Sequence, residues 1–122
     1  MKKILVIDDD MTFVAMIKAS TDPKKYVVES AGNGEEGLER IKESIPDLIL
    51  LDIRMPKMDG IEFLKEMNEK FGKEKIPVLI TSNVSSLDKI SEGVSLGVRG
   101  YFIKSDESLQ GIMGIIEQTL NN

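Results

Sequence analysis

Five times along its length the chain passes from a short apolar run to a longer segment whose apolar residues recur with helical spacing. The runs fall at residues 4–7, 26–28, 48–51, 78–80 and 101–103. The first, third and fourth are almost wholly aliphatic, as strands are when both faces are covered. The second and fifth are shorter or more mixed, as strands at or near a sheet edge are. Between and after the runs, apolar stripes predict five helices. They are Phe13, Met16 and Ile17; Leu38, Ile41 and Ile45; Ile61, Leu64 and Met67; Leu87, Ile90 and Val94; and Leu109, Ile112, Met113, Ile116 and Leu120. Pro46 and Pro77 each stand just before a run, where a missing N–H is harmless.

Such alternation predicts an α/β architecture, a parallel sheet with right-handed crossovers and helices on both faces. For five (βα) units the expected order is 2-1-3-4-5, the flavodoxin-like arrangement, with ligands bound beyond the carboxyl ends of the strands. At 122 residues and 13.6 kDa the chain reads as one domain, residues 1–122, without linker or repeat. Surface scaling predicts a folded area of about 6,600 Å². No apolar stretch approaches the ~18 residues of a membrane span, which implies no membrane insertion and a cytoplasmic location. The net charge of −5, from 21 acidic and 16 basic residues, argues against nucleic acid as a direct partner. The chain contains neither cysteine nor histidine. That excludes disulfides, thiolate or imidazole metal sites and Ser-His chemistry, and leaves only hard, oxygen-liganded cations.

The residues that follow the runs are therefore the candidates for function. They are Asp8, Asp9 and Asp10 after the first, Asp52 after the third, Thr81 and Ser82 after the fourth, and Lys104 after the fifth. Carboxylates gathered at one edge repel, and a divalent cation, most simply Mg²⁺, would neutralise them. Three stretches carry a family resemblance: Ile4-Leu5-Val6-Ile7-Asp8-Asp9-Asp10; Pro46-Asp47-Leu48-Ile49-Leu50-Leu51-Asp52-Ile53-Arg54-Met55-Pro56-Lys57-Met58-Asp59-Gly60; and Pro77-Val78-Leu79-Ile80-Thr81-Ser82. With Gly97-Val98-Arg99-Gly100-Tyr101-Phe102-Ile103-Lys104, they resemble the receiver domain of bacterial two-component response regulators, of the chemotaxis-regulator type.

The resemblance implies a phospho-acceptor rather than an enzyme. Asp52 matches the residue that becomes an aspartyl phosphate. Asp9, Asp52 and the backbone carbonyl of Arg54 match direct Mg²⁺ ligands, and Asp8 matches one acting through water. Lys104 matches the lysine that pairs with the phosphoryl oxygens. Ser82, five residues after Pro77 and thirty after Asp52, matches the switch hydroxyl, and Tyr101 matches the aromatic switch. The implied donor is a histidine kinase or a histidine phosphotransfer protein, and the implied recipient of the signal is a protein target or output domain.

The chain also departs from the family pattern. Ser105 stands where a proline usually follows the lysine. A cis bond without proline costs about 2.5–4 kcal/mol, so the Lys104–Ser105 peptide is expected to be trans. Asn83 replaces a small residue beside the switch hydroxyl, narrowing access to the phosphoryl group. Arg54 and Val84 occupy the two positions that modulate phosphoryl lifetime in the family. Neither is suited to orienting an attacking water, which implies slow self-dephosphorylation. The last helix contains Gly111 and Gly114 and no basic residue, which speaks against the charged dimer surface of many DNA-binding regulators.

Two other motifs compete for attention. Asp8-Asp9-Asp10-Met11-Thr12 also reads as the Asp-x-Asp-x-Thr of haloacid-dehalogenase-type phosphatases, with Asp8 as nucleophile. That reading leaves Asp52 without a role and needs a late acidic motif, where only Asp106 and Glu107 follow Lys104. Gly32-Asn33-Gly34-Glu35-Glu36-Gly37 formally matches a dinucleotide fingerprint, but it follows the second run and puts two glutamates where a pyrophosphate would sit. It reads as a turn and helix start.

Overall fold

In the computed structural model, which describes residues 1–73, 75–83 and 87–121, the β/α alternation is realised element by element. The strands are β1 (Lys2–Ile7), β2 (Tyr26–Ala31), β3 (Leu48–Asp52), β4 (Val78–Ser82) and β5 (Gly100–Ile103). The helices are α1 (Met11–Ser20), α2 (Gly34–Glu43), α3 (Gly60–Phe71), α4 (Leu87–Ser95) and α5 (Leu109–Leu120). All strand pairings are parallel, and the order is β2-β1-β3-β4-β5, as expected from the sequence. The accessible surface is 6511 Å².

Because strand side chains alternate between faces, each central strand feeds two cores. Ile4 and Val6 of β1, Leu48 and Leu50 of β3, Leu79 of β4 and Phe102 of β5 pack with Phe13, Val14 and Ile17 of α1 and Ile112 and Ile116 of α5. Leu5, Ile7, Ile49, Leu51, Val78 and Ile80 face the opposite way. They pack with Leu38 and Ile41 of α2, Ile61, Phe63, Leu64 and Met67 of α3, and Ile90 of α4. Burial on both faces explains why all five residues of β3 are buried while β2, at the edge, is mostly half-buried.

Three stripe residues fall outside the cores. Met16 is exposed because Val14 takes the second buried position on α1, and Val94 is exposed near the end of α4. Ile45 is exposed because α2 has already ended, with Ser44 as its C-cap. Val84 lies outside the described residues, as does the side chain of Leu87.

The helix starts are set by side-chain caps. Asp10 accepts from Thr12 N and Phe13 N at the head of α1, and Asn33 accepts from Glu36 N at α2. Asp59 and Glu62 form a reciprocal capping box at α3, and Ser108 caps α5. The glycine-rich segment before α2 is thus the turn and helix start read from the sequence. Among the described residues no peptide is cis, so Lys104–Ser105 is trans, and Lys104–Asp106 forms a short 3₁₀ turn.

Gly60 ties α3 to the end of β3. Its N–H donates to Ile53 O at 2.7 Å, and a Cβ there would lie 2.5 Å from Asp52 O and 2.9 Å from the Ile53 Cα. Those are backbone atoms that cannot rotate away. Gly60→Ala is therefore expected to destabilise the chain by about 1–3 kcal/mol, read as a lower urea midpoint. At Gly114 a Cβ meets nothing within 4 Å, so Gly114→Ala should instead stabilise by about 0.5–1 kcal/mol.

Candidate functional site

The carboxyl ends of β1, β3, β4 and β5 bring the candidate residues to one edge of the sheet. A small cleft of about 250 Å³ opens there, lined by Asp9, Asp10, Asp52, Arg54, Ser82, Asn83 and Lys104. A wider groove, about 670 Å³, lies elsewhere, between α2 and the α3 side of the molecule. Its lysines and glutamates are of mixed sign, with no convergent set of carboxylates.

Asp52 ends β3 and is 7% exposed; Asp8 follows β1 and is 1% exposed; Asp9 is exposed. One carboxylate oxygen from each can lie within 4.8 Å of the others, a spacing suited to a shared cation. The donor set is oxygen only, which fits a hard ion such as Mg²⁺ rather than a transition metal. Asp10, read from the sequence as part of this acidic group, is committed instead to capping α1.

Among the described residues one cation, the part-buried Lys104, pairs with these carboxylates. The Lys104 Nζ lies 2.6 Å from Asp8 Oδ2 and 4.4 Å from the centre of the Phe13 ring. Asp10 N–H donates to the other oxygen, Asp8 Oδ1, at 2.9 Å. Asp8 is thus satisfied on both sides and lies beneath the cleft, whereas Asp52 lines it. A nucleophile must be reachable, so this geometry counts against Asp8 in that role. Phe13, read from the sequence only as a core residue, is also the aromatic face on which the lysine rests.

Asp52 bears the electrostatic consequence. Burial, and then the negative charge of Asp8, with a smaller push from Asp9, raise its carboxyl to about 7 from the ordinary 3.8. The Lys104 ammonium and the Arg54 N–H pull the other way without cancelling that rise. The site therefore has room for more positive charge.

The remaining candidates are spread over two faces. Ser82 is buried, and its hydroxyl donates to Asn83 O at 2.8 Å. Arg54 and Asn83 are exposed at the cleft mouth. Tyr101 is 50% exposed; it is in register with Ile80, and so lies on the face covered by α2, α3 and α4. Val84 is outside the described residues. Thr81 is fully buried, and its hydroxyl has no hydrogen-bond partner among the described residues, a feature the sequence reading passed over in favour of Ser82.

Comparison with known proteins places this geometry. The sequence model of the response regulator receiver domain matches residues 4–113. The transcriptional regulatory protein ZraR of Klebsiella oxytoca is 44% identical over 101 residues, 83% of this chain but 22% of that protein. Sporulation initiation phosphotransferase F of Bacillus subtilis is 37% identical over 103 residues, 84% of this chain and 82% of that one. A solved CheY-like receiver domain from Methanospirillum hungatei superposes with a TM-score of 0.88 at 26% identity, covering 99% of this chain and 94% of that one. The chain thus spans less than a quarter of ZraR but most of the phosphotransferase.

The raised Asp52 carboxyl generates a test with a definite sign. The folded chain holds that proton more tightly than the unfolded chain, so the group costs nothing below about pH 4. The cost grows as pH rises through about 7, reaching of order 2–4 kcal/mol. Without divalent cations, Asp52→Asn should therefore be the more stable chain at pH 7.5. The difference from wild type should shrink toward pH 4, as read by urea unfolding at each pH.

Proposed function

The chain belongs to the response regulator receiver family, and on that premise we propose that residues 1–122 form a single receiver domain whose phosphoryl acceptor is Asp52. The observation that carries this reading is the placement of Asp52, lining the cleft beside Asp8 and Asp9 with the part-buried Lys104 paired to Asp8.

The transfer follows from that placement. An Asp52 carboxylate oxygen attacks phosphorus in line, and the bond from phosphorus to the donor's imidazole nitrogen breaks, leaving its electron pair on that nitrogen. This chain has no histidine, so the donor is a histidine kinase or histidine phosphotransfer protein, or a small phosphodonor in its place. Asp9, Asp52 and the Arg54 carbonyl would hold Mg²⁺, with Asp8 acting through water, and the ion would supply positive charge to the phosphoryl oxygens. The carboxylates, all-oxygen and short of compensating charge, support that assignment.

Lys104 starts on Asp8 and Phe13 and transfers its charge to the phosphoryl oxygens once they arrive. Ser82 gives up Asn83 O to donate to the same group. Ser82 and Tyr101 share the face of the sheet covered by α4, so a shift of the one leaves room for the other to turn inward. That local charge event changes the surface offered to a protein target or output domain in the cytoplasm. No helix among the described residues is long and apolar enough to cross a membrane.

Arg54 stands at the mouth of the cleft, where its guanidinium is not suited to orienting an attacking water, and Asn83 beside it narrows access. The acyl phosphate is accordingly long-lived. Acetyl phosphate or beryllofluoride with Mg²⁺ should modify wild type at Asp52, located by peptide mass, and leave Asp52→Asn unmodified; modification at Asp8 would sink the reading. Arg54→Asn should release phosphate several-fold faster than wild type in a single-turnover decay, and an unchanged decay would remove Arg54 from the account.

A further inference from the structure

β4 ends in two adjacent hydroxyl residues, and the reading above uses only the second. Thr81 is 0% exposed, does not line the cleft, and its Oγ1 has no hydrogen-bond partner among the described residues. Strand alternation locates it. Leu50 of β3, Leu79 of β4 and Phe102 of β5 all belong to the core under α1 and α5. Asp52 stands two residues beyond Leu50 and Thr81 two beyond Leu79, so both side chains leave the sheet on that face. They are also register partners, with Phe102 next in the same row. Neighbouring strands lie about 4.8 Å apart, so the Thr81 and Asp52 side chains are neighbours on this face, Thr81 buried behind the cleft that Asp52 lines.

A buried hydroxyl with no partner is costly, and valine has the same shape without that cost. Packing alone would therefore favour valine here. The register partner of Thr81 on the same face, Asp52, carries a carboxylate able to accept. The Asp8 oxygens are taken by Asp10 N–H and Lys104, and no side chain among the described residues donates to Asp52.

We propose that Thr81 is a positioning residue for phosphoryl transfer, its hydroxyl donating to the inner carboxylate oxygen of Asp52 as the outer one turns to attack. The proposal rests on Asp52 being the acceptor. With acetyl phosphate, the outer oxygen bonds to phosphorus, the bond from phosphorus to the acetate oxygen breaks, and acetate leaves with the electron pair. The Thr81 proton stays on Thr81, hydrogen-bonded to what has become the carbonyl oxygen of the acyl phosphate. The Thr81 hydroxyl, without a partner among the described residues, gains one during the reaction.

The test compares the wild-type chain of residues 1–122 with Thr81→Val and Thr81→Ser. Two quantities are read: urea unfolding without Mg²⁺, and the rate of Asp52 phosphorylation by acetyl phosphate with Mg²⁺, followed by intact mass. Thr81→Val should raise the folding equilibrium constant about five- to tenfold, yet lower the saturating phosphorylation rate at least fivefold with little change in KM. Thr81→Ser should restore the rate to within about twofold of wild type. A Thr81→Val chain phosphorylated at the wild-type rate overturns the role, and so does a Thr81→Ser chain as slow as Thr81→Val. A less stable Thr81→Val chain also overturns it, since the hydroxyl would then be bonded in the resting protein. If wild type takes no phosphoryl group on Asp52, the acceptor reading fails and this role fails with it; normal wild-type labelling with an indifferent Thr81 fails the second alone.

Discussion

Negative charge held out of water at the carboxyl edge of the sheet is the constraint around which the rest of the molecule is arranged. Asp52 ends β3 and Asp8 follows the neighbouring β1, both buried, with Asp9 beside them. Such a group is unfavourable in low dielectric unless positive charge enters it. The protein supplies one ammonium, from Lys104, and spends it on Asp8. Asp52 is left with a raised carboxyl and an affinity for whatever cation or transferable group can relieve it. The same contact links distant parts of the chain, because Lys104 opens the turn after β5, Phe13 lies on α1 and Asp8 directly follows β1. Redistribution of charge at Asp52 is therefore felt by three elements at once.

The sheet gives that redistribution a direction. Asp52 and Thr81 leave it on the side of α1 and α5, whereas Ser82 and Tyr101 share the parity of Ile80 and lie on the side of α3 and α4. Two consecutive residues of β4 thus stand on opposite faces beside one carboxylate. On the reading proposed here, Thr81 steadies the acceptor from below while Ser82 responds to what is attached to it from above. Gly60 seats α3 tightly against the Asp52 carbonyl at the end of β3.

Much of this was legible in the residues themselves. The aliphatic runs located all five strands, with β2 and β5 at the edges, because a strand covered on both faces has no room for polar side chains. The helical stripes were less reliable at their ends. Val14 and Met16 flank the Phe13 and Ile17 stripe of α1 on opposite sides, and spacing alone does not say which side turns to the sheet. Ile45 continues the period of α2 past the point where the backbone leaves the helix at Ser44. Asp10 was grouped with Asp8 and Asp9 as part of one acidic cluster, but its side chain is claimed by the unpaired N–H groups of α1, a local demand that the run of aspartates does not reveal.

By itself the sequence determined the alternation of elements, the parallel sheet and the set of groups that meet at its carboxyl edge. These follow from hydrophobic period and from where polar residues interrupt it, both of which are local properties. Which of those groups touch was decided only by the tertiary structure. Lys104 and Asp8 are 96 residues apart, and their pairing depends on how β5 and β1 are placed across the sheet. Thr81 reads as an ordinary strand residue until register sets it beside Asp52 with its hydroxyl unanswered. Contact between distant side chains depends on register and face, and those are fixed when the sheet assembles as a whole.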